Sequence, residues 1–226
     1  MKPIGILGGM GPEASAYVYL EMINLSYKHA AQDMENYPHI LINNIPKPNI
    51  FERYDPSTGQ YLGEQAKILE NAGALAVGVA CNSAHHFWPD LRAALSPSIW
   101  LVDMIDEVAK KVTLDGWRQV GILSSSMSRP LYLKAVASHS GEVCSLSGAE
   151  QAAVDQIISR ILAGERTPAI KQELTSLADE QIKRGVQCVV LGCTDLPIIL
   201  KQADVPYPLY SSNDVLAEVL FNFAMK

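Results

Sequence analysis

Two segments of this chain occur twice, in the same order and at nearly the same separation. IGILGGM at Ile4–Met10 is echoed by VGILSSS at Val120–Ser126, 116 positions later. AGALAVGVACNS at Ala72–Ser83 is echoed by RGVQCVVLGCTD at Arg184–Asp195, which sets Cys81 and Cys193 112 positions apart. In both copies a glycine precedes the cysteine by eight residues. Such an echo predicts two similar lobes related by a pseudo-twofold axis. Each lobe contributes one strand that ends in a Gly/Ser-rich loop and another that ends in cysteine and a small polar stretch.

The runs between these segments define the fold class. Short stretches rich in Val, Ile and Leu alternate with amphipathic stretches of helical length, the pattern of a parallel sheet covered on both faces. Strands are expected near Pro3–Leu7, His39–Asn43, Leu75–Ala80, Ile99–Leu101, Val120–Leu123, Val143–Leu146 and Cys188–Leu191. Helices are expected over Pro12–His29, Gly59–Ala72, His85–Leu95, Met104–Lys111, Pro130–Ser138, Ala149–Ala163, Pro168–Arg184 and Asp214–Ala224. The result is an α/β chain of two pseudo-symmetric lobes, each a mainly parallel sheet flanked by helices, with an active site expected in the cleft between them. The first lobe is assigned to 1–103, rejoined by a C-terminal helix at 212–226, and the second to 104–211.

Composition excludes several function classes. The 226 residues are 48% hydrophobic and carry a net charge of −6 with no basic block, which argues against a nucleic-acid partner. No run approaches membrane-spanning length, and the opening MKPIGILGGMG is too short and wrongly flanked for a signal peptide. No membrane association and a cytoplasmic location are therefore expected. The four cysteines show no CxxC pair, so free thiols are expected.

In open parallel sheets, ligands bind at the carboxyl ends of strands, where helix N-termini converge. Cys81 and Cys193 fall there, followed by Asn82, Ser83 and Thr194, whose side chains and backbone N–H groups suit an anion such as a carboxylate. Two thiols on opposite faces of one small molecule would suit a racemase or epimerase, in which one group removes a proton from carbon while the other delivers one to the opposite face. A thiol's ordinary pKa of about 8.5 is within reach of neutral pH, near which general acid–base catalysis works best. Free cysteine also often only fills space. Cys144 and Cys188 lack matched partners and are assigned to the core.

The same residues admit other readings. His85 and His86 follow Cys81 by four and five positions, but no second Cys/His cluster supplies further ligands, so no metal is expected. His85 is assigned to orienting polar groups near the thiol, and His86, Phe87 and Trp88 to packing and surface. Gly9 to Ala14 fits the GxGxxA dinucleotide pattern, yet the second strand ends in Asn43-Asn44 where an acidic residue is required. The glycines are read instead as letting the backbone approach a small ligand. Asp195 is a candidate to tune Cys193 or to serve as a helix N-terminal charge. Ser125, within Ser124–Ser126, is the counterpart of the glycine loop and a candidate hydrogen-bonding group. The charged residues of Gln151–Glu165 and Lys171–Arg184 read as solvated helix faces.

GILGGMGPEAS, ACNSAHHF at Cys81 and LGCTDLP at Cys193 resemble the aspartate/glutamate racemase family in order and spacing over nearly the whole chain. The resemblance implies two α/β lobes, a homodimer, and racemisation of an amino acid at Cα without pyridoxal phosphate, metal or other cofactor. Cys81 and Cys193 match the catalytic cysteines, Asn82, Ser83 and Thr194 match residues that hold the α-carboxylate, and Met10 and Gly11 match the loop covering the site. An acidic amino acid is the implied substrate. Aspartate-preferring relatives carry an arginine after the second strand; here the segment reads IPKPN, Ile45–Asn49, and Lys47 is the candidate point charge. The lysine usual in a helix of the second lobe aligns near Leu162, with Arg160 as the nearest cation. The usual Cys-Thr-Glu is Cys193-Thr194-Asp195, and the SSSMSRPLY loop is short. A cis–trans isomerase or decarboxylase of a dicarboxylic acid on the same scaffold, and a non-catalytic protein binding an acidic metabolite, are the alternatives.

Overall fold

The computed structural model describes residues 1–30, 37–46, 55 and 57–226. Lys47 lies outside them. The described chain forms two compact units, Met1–Met104 with Asn213–Lys226, and Ile105–Ser212.

The first unit is built on β1 (Ile4–Gly8), β2 (Ile40–Asn44), β3 (Ala76–Val79) and β4 (Trp100–Val102), all parallel in the order β2-β1-β3-β4. Strands β1 and β3 are buried throughout, which is why their sequences are unbroken apolar runs, whereas the edge strand β2 is half-exposed. Helices α1 (Pro12–Ala30), α2 (Ser57–Asn71) and α3 (Trp88–Ala94) connect the strands. Helix α9 (Ser212–Ala224) returns to this unit, and its Leu216 and Leu220 lie against β3 at Gly78.

The second unit repeats the plan. Helix α4 (Met104–Leu114) leads into β5 (Gln119–Leu123), β6 (Glu142–Val143), β7 (Cys188–Leu191) and β8 (Leu209–Ser211), parallel in the order β6-β5-β7-β8. Helices α5 (Arg129–Ser138), α6 (Gly148–Leu162) and α7 (Pro168–Lys183) join them. Helix α6 starts at a capping box, in which the Ser147 hydroxyl accepts from the Glu150 N–H and the Glu150 carboxylate accepts from the Ser147 N–H. Helix α7 starts at Thr167 with Pro168 in its first turn. The registers repeat as well: Leu7 pairs with Val79 in the first sheet, and Leu123 with Leu191 in the second.

Several elements differ from the sequence expectation. Strand β8 was not anticipated, because its surroundings, PYPLYS, offer prolines and tyrosines in place of an apolar run. Strand β6 stops at Val143, short of Leu146. The Cys144 N–H still reaches Val120, but its carbonyl is taken by the Arg129 guanidinium at 2.8 Å, which also binds the Ile122 carbonyl at 2.9 Å. The helix expected over His85–Leu95 begins earlier and is divided: a 3-10 turn, Ser83–Phe87, precedes α3, because Pro89 has no N–H to continue the ladder. The helix start expected after Cys193 is a single turn, α8 (Leu196–Ile199).

Cys188 lies in the core, where burial, then the nearby Asp115, pushes its thiol up to about 12. Cys144 sits half-buried at the sheet edge, outside the core to which it was assigned. No helix among the described residues is long and apolar enough to cross a membrane.

Candidate active site

In the first unit the sequence turns from strand to helix across Gly9-Met10-Gly11. Gly9 and Gly11 hold φ values of +95° and +111°, a backbone that side chains rarely tolerate. The Gly9 N–H donates to the Ser15 hydroxyl at 2.9 Å, and a Cβ on Gly9 would sit 2.0 Å from the Ile45 carbonyl oxygen. The close neighbour of this glycine is therefore the chain itself, at the end of β2. Met10 and Gly11 follow it and are buried.

Beside this loop, the Ala80 N–H extends the ladder to the Leu7 carbonyl at 2.9 Å, and Cys81, Asn82 and Ser83 come next, each 2% exposed. The 3-10 turn brings His85 back over Cys81. Its Nδ1 lies 2.9 Å from the Cys81 carbonyl oxygen, its Nε2 accepts from the Met104 N–H at 3.2 Å, and its ring stacks on Trp88 at 5.4 Å. Burial lowers the His85 pKa, so the neutral ring is favoured. Phe87 is buried, and His86 and Trp88 are half-buried.

The second unit repeats the frame with different chemistry. The Gly192 N–H reaches the Leu123 carbonyl at 2.8 Å, then come Cys193, Thr194 and Asp195, all buried. The Cys193 thiol donates to Asp195 Oδ2 at 3.7 Å. Asp195 is also the N-cap residue of α8, with no capping bond from its side chain, so it stands both beside the sulfur and at a helix N-terminus. Gly192 is needed because a Cβ there would meet the Tyr132 ring at 2.6 Å and Ser124 at 3.0 Å.

The serine loop is held from two sides. Ser125 Oγ accepts from the Ser128 N–H at 3.1 Å, and Ser128 Oγ donates to the Gly192 carbonyl at 3.4 Å, which ties the loop to the peptide preceding Cys193. From α6, Gln151 Nε2 donates to the Ser124 carbonyl at 2.9 Å, and Asp155 Oδ1 accepts from the Ser126 N–H at 2.9 Å. Asp155 thus departs from the solvated face assigned to its helix. Sequence reasoning missed both anchors, since nothing local announces which loop a helix will face. It also missed Ser211-Ser212-Asn213, a buried polar run from the last residue of β8 into α9.

Arg160 does not serve as a spare cation. It forms a two-pronged pair with Glu165 at 2.9 and 3.0 Å and a further bond to Glu173 at 2.6 Å, which hold its pKa above the ordinary value. Among the described residues, no cluster of three His, Cys, Asp or Glu could hold a metal ion.

A duplicated four-strand parallel unit, with one buried cysteine just past the third strand of each copy, defines a class of α/β enzyme. The sequence profile of the Asp/Glu/hydantoin racemase family matches residues 7–220. The broad specificity amino-acid racemase RacX of Bacillus subtilis (strain 168) is 26% identical over 223 residues, 95% of each chain. The crystal structure of an aspartate racemase homologue from Pyrococcus horikoshii superposes over the full length of both chains with a TM-score of 0.83 and 27% identity. The aspartate racemase of Picrophilus torridus shares the fold, with a TM-score of 0.86 and 22% identity over 99% of this chain and 94% of that one. This chain belongs to the Asp/Glu/hydantoin racemase family, and amino-acid racemase is its enzyme class.

Proposed function

We propose that the enzyme interconverts amino-acid enantiomers by proton transfer between Cα and two cysteines, Cys81 and Cys193. The observation that carries this reading is their equivalence in the duplicated frame. Each follows the buried central strand, two residues past the last paired position of its ladder, beside the loop from the neighbouring strand. The thiolate of one removes the Cα proton, the electron pair moves into the substrate carboxylate, and the thiol of the other delivers a proton to the opposite face. Thiol and thiolate have then exchanged places. The reaction needs neither cofactor nor metal. Asn82, Ser83 and Thr194 are assigned to the α-carboxylate, with Met10, Gly11 and Ser125 lining the substrate.

An acidic amino acid is the proposed substrate, with Lys47 the candidate for its distal carboxylate. The test is a screen of the common amino acids for solvent deuterium entering Cα. Aspartate or glutamate should exchange fastest, and Cys81→Ser and Cys193→Ser should each lose racemisation by about three orders of magnitude or more. Wild-type racemisation by either variant would overturn the mechanism, and exchange confined to other amino acids would overturn the substrate assignment. A homodimer in the cytoplasm completes the proposal, in keeping with four free thiols. A monomer mass by light scattering would remove the dimer.

A further inference from the structure

We infer that His85 is a positioning residue that fixes the Cys81 peptide and ties it to the start of α4 as a neutral ring with its proton on Nδ1. The inference rests on the reading of Cys81 as catalytic. A carbonyl oxygen only accepts, so the contact at 2.9 Å requires a proton on Nδ1. A backbone N–H only donates, so the Met104 contact at 3.2 Å requires a lone pair on Nε2. The two partners together admit one tautomer and exclude the imidazolium.

The place of this ring in the sheet gives it a task. The ladder between β3 and β4 ends at Gly78 and Val102, before the chain reaches Cys81 or Met104. Beyond that point the imidazole replaces the missing backbone bonds, linking the peptide of Cys81 to the first turn of α4. Stacking on Trp88, at an interplanar angle of 13°, fixes the plane of the ring. The charged and titratable groups facing His85 are Asp103, which favours its protonation, and His86, which opposes it; burial outweighs both and lowers the pKa. Protonation would place an N–H on Nε2 against the Met104 N–H, so the link breaks when the ring becomes charged.

The experiment has two arms on the full-length enzyme. Nitrogen NMR of ring-labelled histidine should show His85 with protonated Nδ1 and bare Nε2, remaining neutral below pH 6.5. The acid limb of kcat/KM should follow the same titration. His85→Asn keeps a donor toward the Cys81 carbonyl and should lose less than tenfold in kcat while losing that limb, whereas His85→Phe keeps the stacking and should lose about 100-fold, mainly in kcat. A proton on Nε2, or His85→Phe with wild-type kcat and pH profile, would overturn the assignment. If His85→Phe fails to fold, His85→Asn and the NMR arm still decide. If the Cys81→Ser enzyme is fully active, the catalytic reading fails, while the tautomer is measured independently of turnover.

Discussion

The two halves of the molecule share a backbone plan and differ in what surrounds the sulfur. Around Cys81 the nearby groups are a neutral imidazole on the carbonyl and a glycine turn pinned by Ser15 and Ile45. Around Cys193 a carboxylate faces the thiol, and the adjoining turn is a serine loop anchored from α6. The matching registers show that a fold can hold two groups in equivalent positions and give them different partners. Asp195 accepts the thiol hydrogen of Cys193. In the proposed mechanism this contact would make Cys193 the resting proton donor and Cys81 the resting base.

The largest effect that can break this comparison comes from the single serine variants. Racemisation should vanish in both, but each should still exchange the Cα hydrogen of one enantiomer in deuterated water, and the favoured enantiomer should be opposite in the two. Exchange of the same enantiomer by both variants would show that the thiols do not act on opposite faces. A smaller effect is expected from Asp195→Asn, with racemisation falling about 100-fold. Racemisation has an equilibrium constant of one, so kcat/KM must fall equally for both enantiomers. The asymmetry should instead show in deuterium exchange, with the enantiomer deprotonated by Cys193 affected differently from its mirror image. Equal exchange would mean that Asp195 does not distinguish the halves.

The smallest effects concern the two turns and are read by urea unfolding. Gly192→Ala should cost about 1–3 kcal/mol, since the nearest atoms its Cβ would meet are side-chain atoms of Tyr132 and Ser124. Gly9→Ala should cost more than about 3 kcal/mol, because a positive φ adds about 1–2 kcal/mol to a clash with backbone at Ile45. The reverse order would mean that the serine turn, and not the glycine turn, is the rigid one.

The frame was legible in the sequence because strands buried on both faces must be written as continuous apolar runs, and the chain writes that pair twice. Cys188–Leu191 is found at its expected bounds for this reason. The link from His85 to Cys81 was half legible: a spacing of four suggests contact, but the Met104 end of the bridge spans nineteen residues. Nothing in SSNDV or PYPLYS announces an edge strand followed by buried serines, since a three-residue strand needs no apolar periodicity. Asp155 and Gln151 look like ordinary surface residues until tertiary packing brings the serine loop to them. Arg160 shows the converse, a cation suggested by its position along the chain but committed to Glu165 and Glu173 by the fold.

The return of α9 to the first unit has a consequence for synthesis. The second unit, Ile105–Ser212, is one continuous stretch, but the first is completed only by Asn213–Lys226, which follow it in the chain. Until Leu216 and Leu220 emerge from the ribosome, the face of β3 that they cover has no lid. The unit begun first is thus completed after the second, and loss of Leu216 and Leu220 would uncover the strand that leads to Cys81.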